Sequence, residues 1–229
     1  MPLSKKILNK LIEKKISVST AESCTGGLLA YSFVKNKDSS KVYKGGYITY
    51  SNEMKIKELK VKKVSLNKNG AVSYQVAEEM IEGLFKKNKT KLCLSTTGIA
   101  GPGNDGTSKK IGYVYVGIAS KTWAIAEATQ IGGNRQENKE GFVHFALLTA
   151  IRHWDQAMEL AETNRLKDLE QREAKAREDA LAEIERNKRA AAAAQETAWQ
   201  SQTWSGENPN VEGKGMGIDV HWDDESLED

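Results

Sequence analysis

The sequence predicts an α/β protein: a layered α/β domain with a mixed sheet, followed by a charged helical and partly disordered C-terminal tail. Two patterns carry that expectation. Through about residue 154, short β-rich runs alternate with apolar residues at helical spacing, as when helices are layered on a sheet. Charge then changes sign along the chain. The 229 residues sum to only +3, yet residues 1–154 hold 25 Lys+Arg against 12 Asp+Glu, and residues 155–229 hold 9 against 19. The expected organisation is therefore a domain over 1–154, a helix rich in Ala, Glu and Arg over 155–199, and an acidic flexible segment over 200–229.

Each element has a local reason. Leu3, Ile7, Leu8, Leu11 and Ile12 recur at helical spacing between lysines, which predicts an amphipathic helix over 3–14. Ser17–Thr20 reads as a short strand. Glu22-Ser23-Cys24-Thr25-Gly26-Gly27 breaks the run, and Leu28, Leu29 and Phe33 resume it as a helix over roughly 25–36. Gly46–Tyr50 is β-rich, and Ser51 or Asn52 is a natural N-cap that puts Lys55 in the first turn of a helix. Ser73 caps another helix whose buried stripe is Val76, Met80, Ile81 and Leu84. Lys91–Thr97 is a strand that ends in Thr97-Gly98-Ile99-Ala100-Gly101-Pro102-Gly103. Ile111–Ser120 and Trp123–Ile131 read as a hairpin around Lys121, and Glu137–His153 carries Phe142, Phe145, Leu148 and Ile151 on one helical face.

Composition excludes several classes. Cys24 and Cys93 are the two cysteines, too few for a disulfide framework or for metal-ligand spacing. No run has the length of a membrane span or the apolar core of a signal peptide, so a cytoplasmic protein without a membrane partner is expected. The lysines of the first part are scattered rather than striped, which argues for a solvated surface and against a nucleic-acid interface.

Three segments, each where a strand ends, carry the chemistry. They bring hydroxyls (Ser23, Thr25, Ser51, Thr96, Thr97), the amine of Lys55, the phenol of Tyr50 and glycine-rich backbone. No His, Asp or metal cluster accompanies them. A serine needs a base, and a desolvated lysine can serve as one. The first helical turn would help keep Lys55 neutral through the helix dipole. The strand, turn and helix start at 17–28 also gather N–H groups where an anion or an oxyanion can be held. Bland alternatives stand beside these. Ser23 caps a helix, Lys55 is one more surface lysine, Cys24 is a small buried hydrophobe, and His144 is a packing residue.

Ala21-Glu22-Ser23-Cys24-Thr25-Gly26-Gly27, Gly45–Asn52 with Lys55, Gly70-Ala71-Val72-Ser73 and Thr97–Pro102 occur in an order that closely resembles the CinA C-terminal domain family, over residues 3–154. Its characterised members are nicotinamide-nucleotide amidohydrolases (PncC). The resemblance implies a three-layer fold and hydrolysis of nicotinamide mononucleotide to nicotinic acid mononucleotide and ammonia. It implies catalysis by Ser23 and Lys55, with Tyr50 as a further candidate. The expected substrate-binding set is Thr25, Gly26, Gly27, Thr97, Gly98, Gly101 and Arg135. No metal or cofactor is called for. A small-molecule nucleotide is the expected partner, and a homo-oligomer the expected assembly. Gly132-Gly133-Asn134-Arg135 looks like the family's Gly-Asp-Arg element with Asn134 in the acidic position, which puts the orientation of Arg135 in question.

The tail departs from the family. Asp168–Arg172, Glu173–Arg177 and Glu185–Arg189 are acid-before-base pairs that support an isolated helix, while Leu160, Leu166, Leu169, Leu181 and Ile184 keep no heptad seam. Trp199, Trp204 and Trp222 are candidate anchors for a protein partner. The alternative function is accordingly a catalytically weak CinA-like scaffold attached through its tail to a larger assembly.

Overall fold

The computed structural model describes residues 2–103 and 108–204, with side chains as far as Trp199. Of the acidic flexible segment expected over 200–229, residues 200–204 are helical and the rest, with Trp222, lies outside the described residues. Two compact units divide the chain, Met1–Thr163 and a second from Asn164 onward.

In the first unit, strands β1 (Val18–Glu22), β2 (Tyr43–Ile48), β3 (Leu92–Gly98), β4 (Tyr113–Ser120) and β5 (Ala124–Gln130) form one sheet in the order β2-β1-β3-β4-β5. β1 runs parallel to both β2 and β3, whereas β3–β4 and β4–β5 are antiparallel, so the sheet is mixed as expected. Helices α1 (Leu3–Glu13), α2 (Leu28–Val34) and the start of α6 (Arg135–Trp204) cover one face. Ile7, Leu8, Leu11, Phe33, Phe142 and Ile151 pack there against Leu92, Leu94, Val114 and Val116. Helices α3 (Asn52–Leu59), α4 (Lys63–Asn69) and α5 (Tyr74–Asn88) cover the other, where Leu59, Leu66, Val76, Met80 and Leu84 meet Ala21, Cys93 and Ala119. The period of two in β3 explains the split: Leu92 and Leu94 face one layer, Cys93 the other. At Gly83 a Cβ would come within 1.8 Å of the Leu59 carbonyl oxygen, so α3 and α5 touch backbone to backbone there.

Several local expectations meet their physical reasons. Ser51 and Ser73 cap α3 and α5, their hydroxyls accepting from the N–H groups of Met54 (3.2 Å) and Val76 (3.3 Å). α2 starts at Leu28 rather than 25, because Gly26 and Gly27 take positive φ (58° and 96°) and close a turn first. β2 occupies Tyr43–Ile48 rather than 46–50, since pairing with β1 fixes its register. α4 has no counterpart in the sequence reading. Its first turn is held by the distant Glu79 carboxylate, which accepts from Lys62 N–H (2.8 Å) and Ser65 Oγ (2.6 Å).

In the second unit α6 continues to Trp204 without a break, so the expected change of element near residue 155 does not occur. Side chains from Asn164 to Trp199 are exposed, and the Glu185–Arg189 pair closes at 3.0 Å.

Candidate active site

β1, β2 and β3 all end at one edge of the sheet. The connection after β1 crosses by α2 on one face, and the connection after β2 crosses by α3–α5 on the other. The carboxyl ends of β1 and β3 therefore flank a topological switch point, where open α/β sheets form a crevice. Ser23 is the first residue past β1, and its N–H donates to Thr96 O at 3.0 Å, tying it to β3. Lys55 comes from the first turns of α3, directly after β2.

A cleft of about 210 Å³ opens here, lined among others by Ser23, Tyr50, Lys55, Thr97, Gly101 and Arg135. The Lys55 amine is buried, and Nζ donates to Ser23 Oγ at 3.0 Å, to Thr49 O at 2.9 Å and to Tyr50 O at 3.3 Å. An ammonium spends all three protons on these partners. A neutral amine keeps two for the carbonyls and turns its lone pair to the Ser23 hydroxyl. Burial favours that form, pushing the amine down from 10.5 to about 8. Burial, the desolvation anticipated from sequence, is the leading cause.

Cys24 lines the same cleft but is inert by environment. Burial pushes its thiol up to about 12, against partial relief from backbone N–H groups and from Lys55, so it carries no thiolate at neutral pH.

Arg135, at the first position of α6, donates to the Gly101 carbonyl and, at 3.1 Å, to the Tyr50 hydroxyl. Asn134 does the capping that an aspartate would do. Its Oδ1 accepts from the N–H groups of Gln136 (2.9 Å) and Glu137 (3.1 Å), while the Glu137 carboxylate accepts from Asn134 N–H at 2.7 Å. This reciprocal capping box fixes the helix start and aims Arg135 into the cleft without a charge at position 134. Beneath the loop, buried Asn138 donates to Ala100 O (3.1 Å) and Gly133 O (3.0 Å), joining the segment after β3 to the segment before α6.

Of the expected site residues, Ser23, Lys55, Tyr50, Thr97, Gly98, Gly101 and Arg135 line the cleft. Thr25, Gly26 and Gly27 are not among its lining residues. Thr25 is fully buried, its hydroxyl donating to Glu22 at 2.7 Å and lying 2.7 Å from the Thr96 hydroxyl. The anion position anticipated at the start of α2 is filled by the protein itself. Glu22, 1% exposed, accepts from Gly27 N–H (2.8 Å), Leu29 N–H (3.0 Å) and Ala30 N–H (2.7 Å). Sequence reasoning placed Glu22 in the motif without a role. The signal was an acidic residue just ahead of a glycine-opened helix start.

The CinA C-terminal domain model matches residues 1–153. The chain belongs to the CinA C-terminal domain family. A relative from Clostridium novyi (strain NT), named for competence-damage inducibility, is 48% identical over 137 residues, 60% of this chain and 33% of its own length. A CinA-like protein of Kosmotoga olearia is 43% identical over 141 residues, 62% of this chain and 34% of its own length. The chain thus spans about a third of the curated relatives it matches. Among solved structures, a CinA superfamily protein of Escherichia coli is 32% identical with a TM-score of 0.62, covering 65% of this chain and 87% of that one. A competence/damage inducible protein of Agrobacterium tumefaciens is 33% identical with a TM-score of 0.64, covering 66% and 92%. The matched part is the domain that carries the cleft. No described helix is long and apolar enough to cross a membrane, and the described residues hold no group of three or more His, Cys, Asp or Glu side chains suited to a metal ion.

Proposed function

We propose that this CinA-family domain is an amidohydrolase that cleaves the carboxamide of nicotinamide mononucleotide, giving nicotinic acid mononucleotide and ammonia. The observation that carries the reading is the buried Lys55 amine 3.0 Å from the Ser23 hydroxyl, its proton affinity lowered to about 8. In this reading neutral Lys55 takes the Ser23 proton as Oγ attacks the carboxamide carbon. The resulting ammonium returns that proton to the departing nitrogen, and ammonia leaves an ester on Ser23. Water, deprotonated by the same amine, hydrolyses the ester and restores the serine. Arg135 holds the phosphate by its planar fork, giving up its bonds to Tyr50 and Gly101 when substrate enters. Tyr50, its hydroxyl within reach of Arg135, orients the arginine or relays a proton.

Ammonia release from nicotinamide mononucleotide tests this. The native chain releases ammonia in step with acid product, and Ser23→Ala, which keeps the fold, loses at least about a thousandfold in kcat. A native chain silent on this substrate but active on another small amide would keep the Ser–Lys chemistry and overturn the substrate. Full activity in Ser23→Ala would overturn the nucleophile.

A further inference from the structure

Gly101 and Arg135 reach the cleft from segments far apart in sequence, and one buried side chain ties those segments together. Asn138, one turn into α6, is fully buried. Its Nδ2 donates to Ala100 O at 3.1 Å and to Gly133 O at 3.0 Å. A single amide thus holds both the loop after β3 and the segment that leads into Arg135. The two carbonyls fix which way the amide lies, because Oδ1 in the place of Nδ2 would face two acceptors. Oδ1 is thereby left buried without a hydrogen-bond partner among the described residues. A buried acceptor without a donor costs stability, so what this amide contributes lies in its two N–H groups.

The bond to Ala100 O also aims a donor. In a trans peptide the C=O and N–H point in opposite directions, and the Ala100–Gly101 peptide is trans. With its carbonyl drawn toward Asn138, its N–H, which belongs to Gly101, points away from Asn138. Ala100 and Gly101 both line the cleft, and no described residue accepts from the Gly101 N–H. Arg135 arrives at the same place, its guanidinium donating to the Gly101 carbonyl and, at 3.1 Å, to the Tyr50 hydroxyl. A bare backbone N–H beside a planar guanidinium suits a phosphate. Once a phosphate engages the guanidinium, the Arg135 tie to Gly101 is released. The bond from Asn138 then still holds the Ala100–Gly101 peptide against α6.

We propose that Asn138 is a positioning residue that spaces the Gly101 N–H from the Arg135 guanidinium so that both grip one phosphate. Resting on the amidohydrolase reading for its substrate, this makes Asn138 a determinant of the preference for a nucleoside monophosphate over the bare nucleoside. Phosphate binding itself can be measured without turnover.

Titration of the native full chain with inorganic phosphate, followed by amide NMR, should shift the Gly101 signal saturably. Asn138→Leu, close to asparagine in size but without a donor, should weaken phosphate binding about tenfold. In the ammonia assay its KM for nicotinamide mononucleotide should rise about tenfold, with kcat held within about twofold. Its preference for that substrate over nicotinamide riboside should fall by the same factor. Asn138→Ser, with one donor, should lie between Asn138→Leu and the native chain. A merely structural role would weaken turnover of both substrates alike and leave the preference where it was. A Gly101 amide indifferent to phosphate overturns the proposal whether or not the variants fold, and so does an unchanged preference in folded Asn138→Leu. Phosphate binding at Gly101 that Asn138→Leu weakens, in a native chain that leaves nicotinamide mononucleotide intact, would overturn the amidohydrolase reading and uphold the role of Asn138.

Discussion

Changing the pH across the Lys55 titration perturbs the site without a substitution. With its affinity at about 8, the amine is neutral in roughly one tenth of molecules at pH 7 and roughly nine tenths at pH 9. If the neutral amine is the base, kcat/KM rises about tenfold over that interval, with a midpoint near 8 and unit slope. Stability supplies an independent readout. The folded group loses its proton near 8 and the unfolded group near 10.5, so between these values the unfolded chain binds more protons. Unfolding free energy therefore rises with pH across that window. The burial cost of the ammonium weighs in full below 8 and is gone above 10.5, a swing of about 3 kcal/mol. Ammonia release measured from pH 6 to 10, with urea unfolding at the same values, reads both. Lys55→Arg, which cannot surrender a proton, should lose the rate limb and nearly all activity. A native profile flat from 7 to 9, or the same limb surviving in Lys55→Arg, would refute the assignment of Lys55 as base.

Iodoacetamide at neutral pH should leave activity intact, because burial holds Cys24 as a thiol; rapid inactivation with label on Cys24 would move the nucleophile there. Glu22→Ala leaves three N–H groups and the Thr25 hydroxyl without their acceptor, and should cost about 3–5 kcal/mol in urea unfolding. A loss below about 1 kcal/mol would mean that water replaces the carboxylate. Truncation after Thr163, past the buried Trp154 and the 2.5 Å Lys10–Asp155 pair, should keep both melting temperature and ammonia release. Precipitation of the shortened chain would show that the second unit supports the first.

What could be read from the sequence was local chemistry, and what could not was chemistry completed by distant residues. The apolar spacing of Leu3–Ile12 and the serines at 51 and 73 act within a turn of their own position, and the structure contains those elements. The Ser23 and Lys55 motifs were visible as residue types at strand ends, and the sheet order brings them together. α4 escaped because its cap is Glu79, seventeen residues beyond Lys62. Thr25 was misplaced because a hydroxyl in a glycine-rich turn looks the same whether it faces a ligand or a neighbouring strand; here Thr96 and Glu22 take it inward. Arg135 was recognised as a motif residue, but its aim depends on the capping of Asn134, a geometric fact that one letter of sequence does not encode.

Glu22 has a consequence for inhibition. A helix start that already binds its own carboxylate is saturated, so dissolved phosphate or sulfate gains nothing by approaching that turn. Competition by inorganic anions would then turn on the guanidinium of Arg135 in the cleft, and should be weakened by Arg135→Gln. In Glu22→Ala the vacated turn would become a second receptor, and small carboxylates such as formate would restore stability in a saturable way. The native protein is, in this respect, the complex of a receptor with a tethered ligand.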